Sequence, residues 1–305
     1  MRRTFFIVGP TATWKSELAA DVANEVGAEI VSADAFQIYR GLDLLTAKPK
    51  TETLAKALHH LIGTIPLSEE MNAEEFRRAA TCTIDEISAR GRLAIVVGGS
   101  GLYIKTLTHG LAPLPKSDPK LREKFNAMSL DELVSQLAEL DPETARTIDL
   151  KNRRRVARAL EICLLTGKPV STQRERAAAS DSEAATGVFV FRDRDDLYNR
   201  INQRVEAMFE DGVVDEVGAV GPTSATASQM IGLREIRQLL EGKMSILQCV
   251  AAIQQATRRY AKRQLTWFRR QTNFQPLNLS LLSHNEARIL LRKRSEPRKL
   301  SARDD

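Results

Sequence analysis

Apolar and polar positions alternate along the first hundred residues in a way that predicts strands separated by helices. An apolar run at 5–8 is followed by the segment GPTATWKS and then by an amphipathic stretch over 17–26, which predicts a strand, a loop and a helix. A second apolar run, 29–32, ends just before Asp34, and a third, over 93–97, opens into GGSGLY. Strands that alternate with helices favour a parallel sheet with helices on both faces.

The pattern changes twice further along the chain. Residues 115–187 show helical periodicity with few β-branched runs, which predicts an inserted helical subdomain. Strand and helix patterns resume afterwards, so the α/β core is expected to be discontinuous and to comprise residues 1–114 and 188–275. Periodicity is lost beyond 275, and residues 276–305 are predicted to form a partly disordered tail.

The loop after the first predicted strand matches the phosphate-loop consensus G-x-x-x-x-G-K-[ST] except at one position, where Trp14 replaces a glycine. In such loops backbone N–H groups and a helix N-terminus surround a phosphate. Lys15 supplies positive charge there, and the Ser16 hydroxyl can hold Mg²⁺. The motif predicts a P-loop NTPase-like sheet that binds a diphosphate or a nucleotide such as ATP. The binding residues expected are Gly9, Pro10, Thr11, Ala12, Thr13, Trp14, Lys15 and Ser16.

Two further candidates follow predicted strands at the same edge of the sheet. Ligands of parallel sheets gather at the carboxyl ends of the strands, where Asp34 and Ser100 both fall. Each of these side chains could instead cap a helix. Asp34 is followed by QIYRGLDLLTAKP, a polar and basic segment that suits the path of a phosphodiester chain.

A basic segment near the end of the core is the strongest sign of a nucleic-acid partner. The chain has 305 residues and a net charge of +6, an excess that decides nothing alone. Between residues 254 and 271, however, six cations occur without one acidic residue. On a helix these cations share one broad face, and the opposite face is expected to pack on the core. The apolar stripe predicted for that face is Ile246, Val250, Ile253 and Tyr260.

A second basic cluster, over 151–158, places Arg154 and Arg158 one turn apart on a helix of the inserted subdomain. Two basic elements on different subdomains suggest a cleft that grips an RNA. No apolar run approaches the roughly 20 residues of a membrane-spanning helix. The phosphate loop begins at Gly9, which leaves no room for a targeting peptide, so a cytoplasmic protein is expected.

Six ordered segments resemble motifs of the tRNA dimethylallyltransferase (tRNA isopentenyltransferase) family. They are GPTATWKSELA, SADAFQIYRGLDLLTAKP, VVGGSGLYIKTL, RALEICLLTGKP, RINQRVEAMFEDGVVDEV and TRRYAKRQLTWFRR. The resemblance runs from about residue 5 to 270. It departs from the family pattern at several positions, among them Trp14 and Leu45, which stand where the family has glycine.

The resemblance implies that dimethylallyl diphosphate and Mg²⁺ bind the Gly9 loop and that a flipped adenine enters from the opposite side. Its N6 amine would attack the allylic carbon, with Asp34 accepting the proton and Ser100 helping to position the groups. Lys15 and either Arg200 or Arg204 would neutralise the departing diphosphate. The residues expected to bind the tRNA anticodon stem-loop are Asp34, Ala35, Phe36, Gln37, Ser100, Arg122, Arg154, Arg155, Arg158, Gln229, Gly232, Arg234, Arg258, Arg259, Lys262 and Arg263.

Two other functions stay open at this point. A catalytically impaired homologue would bind tRNA without transferring a prenyl group, and the glycine replacements motivate that alternative. A P-loop kinase of a nucleotide or small metabolite would turn over ATP without RNA, but it gives no reason for the basic segment at 254–271. A monomer is the default expectation for the oligomeric state.

Overall fold

The computed structural model describes residues 3–110, 114–172 and 185–296. The described residues form two compact units. Those within Met1–Leu107 and Ala184–Asp305 make up the first unit, and those within Thr108–Glu183 make up the second. The core is therefore discontinuous in sequence, and the second unit begins a few residues before the predicted position 115.

The first unit is built on a six-stranded sheet in the order β3-β2-β4-β1-β5-β6, with every neighbouring pair parallel. The predicted α/β class with a parallel sheet is confirmed. The strands are β1 (Thr4–Val8), β2 (Glu29–Ser32), β3 (His59–His60), β4 (Ala94–Gly98), β5 (Thr186–Phe191) and β6 (Gln275–Asn278).

Helices cover both faces of this sheet. They are α1 (Lys15–Val26), α2 (Thr51–Leu54), α3 (Ala73–Ala89), α4 (Gly101–Thr108), α9 (Arg194–Glu210), α10 (Val213–Gly218), α11 (Leu233–Leu240), α12 (Ile246–Gln271) and α13 (His284–Ser295). Side chains of a strand alternate between the two faces. Accordingly Phe5 and Ile7 pack in a cluster with α1 and α13, whereas Phe6 and Val8 pack with α3, α4 and α12.

The second unit is helical. Its helices are α5 (Pro119–Ala127), α6 (Leu130–Leu140), α7 (Pro142–Thr147) and α8 (Arg153–Thr166). It has its own core, in which Phe125, Leu133, Leu137 and Leu160 are almost fully buried. Caps fix the helix starts: the Ser129 and Glu132 side chains exchange bonds with backbone N–H groups at the start of α6. The stretch over 177–186 is rich in small and acidic residues, which predicts a loose connection, and it lies largely outside the described residues.

The prediction of a tail after residue 275 is wrong for residues 276–296. This stretch forms β6, which pairs with β5, and then α13, whose Ala287 and Leu291 are buried in the core against α1. Charged residues mask the apolar period of α13, so the sequence pattern missed it. Residues 297–305 lie outside the described residues.

Candidate active site

The phosphate loop connects β1 to α1 and has the backbone of a tight turn. A Cβ atom at Gly9 would lie 2.1 Å from the carbonyl oxygen of Val190, so this position admits only glycine. Ala12 and Trp14 have φ of 62° and 68°, in the left-handed region. Trp14 directly precedes α1, and this conformation explains why a glycine is the expected residue there.

The Trp14 ring points away from the space beside Lys15. Its side chain is 47 % exposed, and the Arg200 guanidinium lies 3.8 Å from the ring centroid. The ring lines a cavity of about 410 Å³ together with Arg192, Arg200 and His284. Lys15, Ser16, Asp34 and Gln37 line a different, smaller cavity of about 20 Å³. The tryptophan therefore carries the backbone strain of its position without crowding the predicted ligand site.

Lys15 and Arg204 bring two cations to the phosphate loop. Arg204 donates from Nη1 to the Thr11 hydroxyl at 2.9 Å, and Lys15 donates to the carbonyl of Pro10 at 3.3 Å. Burial lowers the pKa of Lys15, an effect that the nearby Asp34 carboxylate opposes and Arg204 reinforces. Burial likewise lowers the pKa of Arg204, against the charge of Asp34.

Arg200 and Arg204, either of which could neutralise the diphosphate according to the sequence, have different surroundings. Arg200 donates to Asp196 at 2.8 Å and stacks on Trp14. Arg204 touches the phosphate loop itself, and its Nε is buried with no hydrogen-bond partner among the described residues. Buried guanidinium groups are normally fully bonded, so Arg204 has spare capacity for an anion.

Asp34 and Ser100 come together at the carboxyl ends of β2 and β4. Asp34 Oδ1 accepts hydrogen bonds from the backbone N–H groups of Phe36 at 2.9 Å and Gln37 at 3.3 Å. Ser100 Oγ accepts from the N–H of Ala35 at 2.9 Å. Burial, followed by the Asp34 charge, raises the pKa of Tyr260, which lies beside Ser100. The two predicted side chains thus belong to one hydrogen-bonded group.

The Asp34 loop, residues 34–48, is tied to its surroundings by many hydrogen bonds. Gln37 Nε2 donates to the Ala47 carbonyl at 2.9 Å. The Glu216 carboxylate of α10 accepts from the N–H groups of Leu44 and Leu45 at 2.8 and 2.9 Å. Leu45, one of the departures from the family pattern, is buried. The side chain of Gln37 therefore supports the loop as well as facing the cavity.

Sequence reasoning missed two residues of this region. Gln264 of α12 is buried and bonds to the phosphate loop and to the loop after β4. His59 lines the small cavity, and its Nε2 has no partner among the described residues. Burial lowers the pKa of His59. A glutamine on the buried face of a helix was the available signal for Gln264, because such a polar side chain needs partners.

Helix α12 presents its cations outward as predicted. Ser245 and Gln248 form a capping box at its start. Arg259, Lys262 and Arg263 are exposed, and Arg258 donates to Asn202 at 2.7 Å. The predicted apolar stripe is partly wrong, because Ile246 is 58 % exposed. The buried stripe is instead Cys249, Ile253, Thr257, Ala261, Gln264 and Phe268.

Two of the arginines predicted to bind RNA in the second unit have internal partners. Arg158 pairs with Glu161 and donates to the Pro115 carbonyl, and Arg122 lies 3.7 Å from the same buried carboxylate. Arg154 and Arg155 are exposed. These internal contacts fix Arg158 and Arg122 in place. RNA binding by these two arginines and by Arg154 and Arg155 stays a prediction.

The remaining predicted RNA-binding positions lie before and at the start of α11. Gln229 and Arg234 are exposed, whereas Gly232 is buried. The backbone of Gly232 has φ of 96°, and a Cβ there would lie 2.8 Å from a methyl carbon of Leu45. Gly232 is therefore explained by packing, and contact with RNA at these three positions stays a prediction.

The match to a family model decides the family. The model described as IPP transferase matches residues 37–271, which is more than half of the chain. This protein belongs to the IPP transferase family. The resemblance seen in its motifs is confirmed, and the matched region includes Asp34's neighbours in the loop, Ser100 and the whole of α12.

Curated relatives and solved structures agree with that family. The chain is 46 % identical to tRNA dimethylallyltransferase 1 of Citrifermentans bemidjiense over 85 % of this chain and 87 % of the relative. It is 43 % identical to tRNA dimethylallyltransferase of Akkermansia muciniphila over 88 % and 90 %. The structure of the tRNA isopentenylpyrophosphate transferase from Bacillus halodurans is 33 % identical, with a TM-score of 0.71 and coverage of 96 % and 95 %.

The residues beside Lys15 fit a magnesium ion that also binds a diphosphate. Within the described residues no group of three or more His, Cys, Asp or Glu side chains could hold a metal. Mg²⁺ commonly uses only one or two protein oxygens and takes its other ligands from phosphates and water. The Ser16 hydroxyl lines the same cavity as Lys15 and supplies one such oxygen. Among the described residues no helix is both long and apolar enough to cross a membrane.

Proposed function

We propose that this protein transfers a dimethylallyl group from dimethylallyl diphosphate to N6 of the adenosine 3′ of the anticodon in tRNA. The observation that carries the proposal is the arrangement around one small cavity. Lys15 and Ser16 line it beside a carboxylate, Asp34, and Arg204 bonds to the same phosphate loop. The names of the curated relatives support the same reaction.

The chemistry requires a cationic site for the leaving group. As N6 forms its bond to the allylic carbon, the bond from that carbon to the diphosphate oxygen breaks, and the electron pair leaves with the diphosphate. Lys15 and Arg204 stabilise that growing charge, and the loop N–H groups add to it. Ser16 would hold Mg²⁺, which would supply further positive charge to the diphosphate.

Asp34 is the proposed general base. The amine that attacks must lose a proton, and a carboxylate within hydrogen-bonding distance can accept it. Two backbone N–H groups hold Oδ1 of Asp34, so the carboxylate has a fixed orientation towards the cavity. Ser100 holds the backbone of Ala35 and thereby keeps the base in its place.

The exposed cations of α12 are proposed to bind the phosphates of the anticodon stem-loop. Each phosphate contact is electrostatic and weakens with salt. Such contacts must offset the few kcal/mol that flipping an adenine out of its stack costs. Since its substrate would be tRNA, we expect the protein to act in the cytoplasm and, by default, as a monomer.

Transfer of radiolabelled dimethylallyl diphosphate to unmodified tRNA tests the proposal. We expect labelling by the wild type, and a fall of about 10²- to 10⁴-fold for Asp34→Asn, which cannot accept the proton. Asp215→Asn is the matched control, because Asp215 is an exposed carboxylate on α10, and it should retain full transfer.

The outcomes also separate the alternatives. Binding of tRNA without any labelling by the wild type would establish an impaired homologue and refute the proposal. Turnover of ATP without RNA would favour a kinase. Full activity of Asp34→Asn would leave prenyl transfer in place but remove Asp34 from the role of base.

A further inference from the structure

Gln264 joins two loops that are far apart in the sequence. Its Oε1 accepts a hydrogen bond from the Thr11 N–H at 3.0 Å, and its Nε2 donates to the Gly99 carbonyl at 2.8 Å. The side chain is only 5 % exposed. One amide group therefore satisfies a donor of the phosphate loop and an acceptor of the loop that carries Ser100.

The fit around this amide is close. A Cβ atom at Gly99 would lie 2.3 Å from Gln264 Nε2 and 2.9 Å from the Gly9 carbonyl oxygen. Glycine at position 99 is thus required for the amide to enter between the loops. Since an unpaired buried amide is costly, the two loops and the side chain hold one another in a single arrangement.

Thr11 connects Gln264 to Arg204, one of the proposed catalytic cations. The Thr11 N–H is bonded to Gln264, and the Thr11 hydroxyl is bonded to Nη1 of Arg204. Movement of Thr11 would therefore move the partner that orients Arg204. The remaining donor capacity of Arg204, its buried Nε, depends on the same orientation.

The inner face of α12 makes such contacts over two turns. Tyr260 lies beside Ser100, Gln264 binds both loops, and the Trp267 ring would be 2.5 Å from a Cβ at Gly101. Positions 260, 264 and 267 share one side of a helix. Lys262 and Arg263, between them in sequence, are exposed. One rigid helix thus touches both loops and carries the cations proposed to bind RNA.

We propose that Gln264 is a positioning residue that holds the phosphate loop in its diphosphate-binding form and so couples the RNA-facing helix to the leaving-group site. The inference rests on the proposed function for the identity of the donor. Both ends of the Gln264 amide are bonded to backbone groups of the two loops. Gln264 acts through Thr11 and Arg204, and its loss should weaken donor binding while leaving tRNA binding unchanged.

Gln264→Met removes both hydrogen bonds and keeps a long, unbranched side chain that packs well. The KM for dimethylallyl diphosphate should rise about tenfold, as expected for losing the one buried hydrogen bond that reaches the phosphate loop, the bond to Thr11. The dissociation constant for tRNA should stay within about twofold. Gln254→Met is the matched control, because Gln254 lies on the same helix and bonds to Asn202 and Glu206 instead.

Gln264→Glu provides a pH signature. When protonated, its carboxyl group can accept from Thr11 and donate to Gly99, which reproduces both bonds of the amide. Burial is the largest effect on the pKa of the nearby Lys15 and Arg204, and it would raise the pKa of such a carboxyl group against the attraction of those two cations. The ratio of the Gln264→Glu transfer rate to the wild-type rate should therefore increase as the pH is lowered from about 8 to about 6. The corresponding ratio for Gln264→Met should not change with pH. A flat ratio for both variants would contradict the proposal.

If the wild type transfers no label, the proposed function is refuted, but the positioning role of Gln264 is not. Two measurements still test that role. Hydrogen exchange of the segment containing Thr11 should be faster in Gln264→Met, and pyrophosphate should bind it about tenfold more weakly. Unchanged exchange and unchanged pyrophosphate affinity, with the same thermal stability loss as Gln254→Met, would overturn the positioning role. Weaker tRNA binding with normal donor binding would also overturn it.

Discussion

The phosphate loop and the Asp34 loop both place non-glycine residues in the left-handed region, but they are held in different ways. The phosphate loop is held by side chains from distant helices, above all Gln264 and Arg204. The Asp34 loop is held by its own residues, such as Gln37 and Lys48, and by the side chains of Glu216 and Ser100. The comparison teaches that a residue other than glycine can occupy a left-handed position in a loop when its side chain has space outside the ligand site.

The largest expected effect concerns the charge of the phosphate loop. Lys15→Met should lower the transfer rate about 10²- to 10³-fold, because one stabilising group for the departing diphosphate is lost. The measurement is single-turnover transfer at saturating donor. Lys50→Met is the control, because Lys50 is exposed, and it should behave like the wild type. Equal rates for the two variants would remove the leaving-group role of Lys15.

A smaller effect should follow from freeing the Asp34 loop. Glu216→Ala removes a carboxylate that accepts from two backbone N–H groups, and hydrogen bonds to charged groups contribute about 1.5–3 kcal/mol. The free energy of unfolding in urea should fall by about that amount. Affinity for the donor should hold, because the phosphate loop has separate supports. Loss of donor affinity would contradict the difference between the two loops, and Asp215→Ala is the neighbouring control.

Acid should weaken the strand that leads into the Asp34 loop. Burial disfavours the charge of Glu29, but hydrogen bonds from Arg90 and His60 outweigh it and lower the pKa of this carboxyl below 4.5. The stabilisation is present above pH 4.5 and is lost as the pH falls through the lowered value. Stability measured from about pH 6 down to about pH 3 should fall less steeply in Glu29→Gln. Identical slopes would contradict this assignment.

The smallest effect is expected at Trp14. Trp14→Gly relieves a left-handed strain of about 1–2 kcal/mol and loses the stacking of Arg200 on the ring, worth about 0.5–1 kcal/mol. The two terms oppose each other, so stability should change by no more than about 1.5 kcal/mol and transfer by less than about threefold. A tenfold faster transfer would show that the indole crowds the donor.

The sequence predicted those parts of the site that depend on short segments. Lys15, Asp34 and Ser100 each follow a strand, so the parallel arrangement alone brings them to one edge. Gln264, His59 and Glu216 reach the site from other segments, and no local pattern shows which loop each would meet. The fold shows the same limit: β1 and β4 are continuous apolar runs, whereas β6 contains Pro276 and is followed by the charged α13.

The most direct test of prenyl transfer is mass spectrometry of an anticodon stem-loop incubated with the protein, Mg²⁺ and dimethylallyl diphosphate. An RNA with adenosine directly 3′ of the anticodon should gain the mass of one dimethylallyl group, carried on N6 of that adenosine. The same RNA with guanosine there should be unchanged. No mass gain with adenosine, or an equal gain with guanosine, would contradict the account.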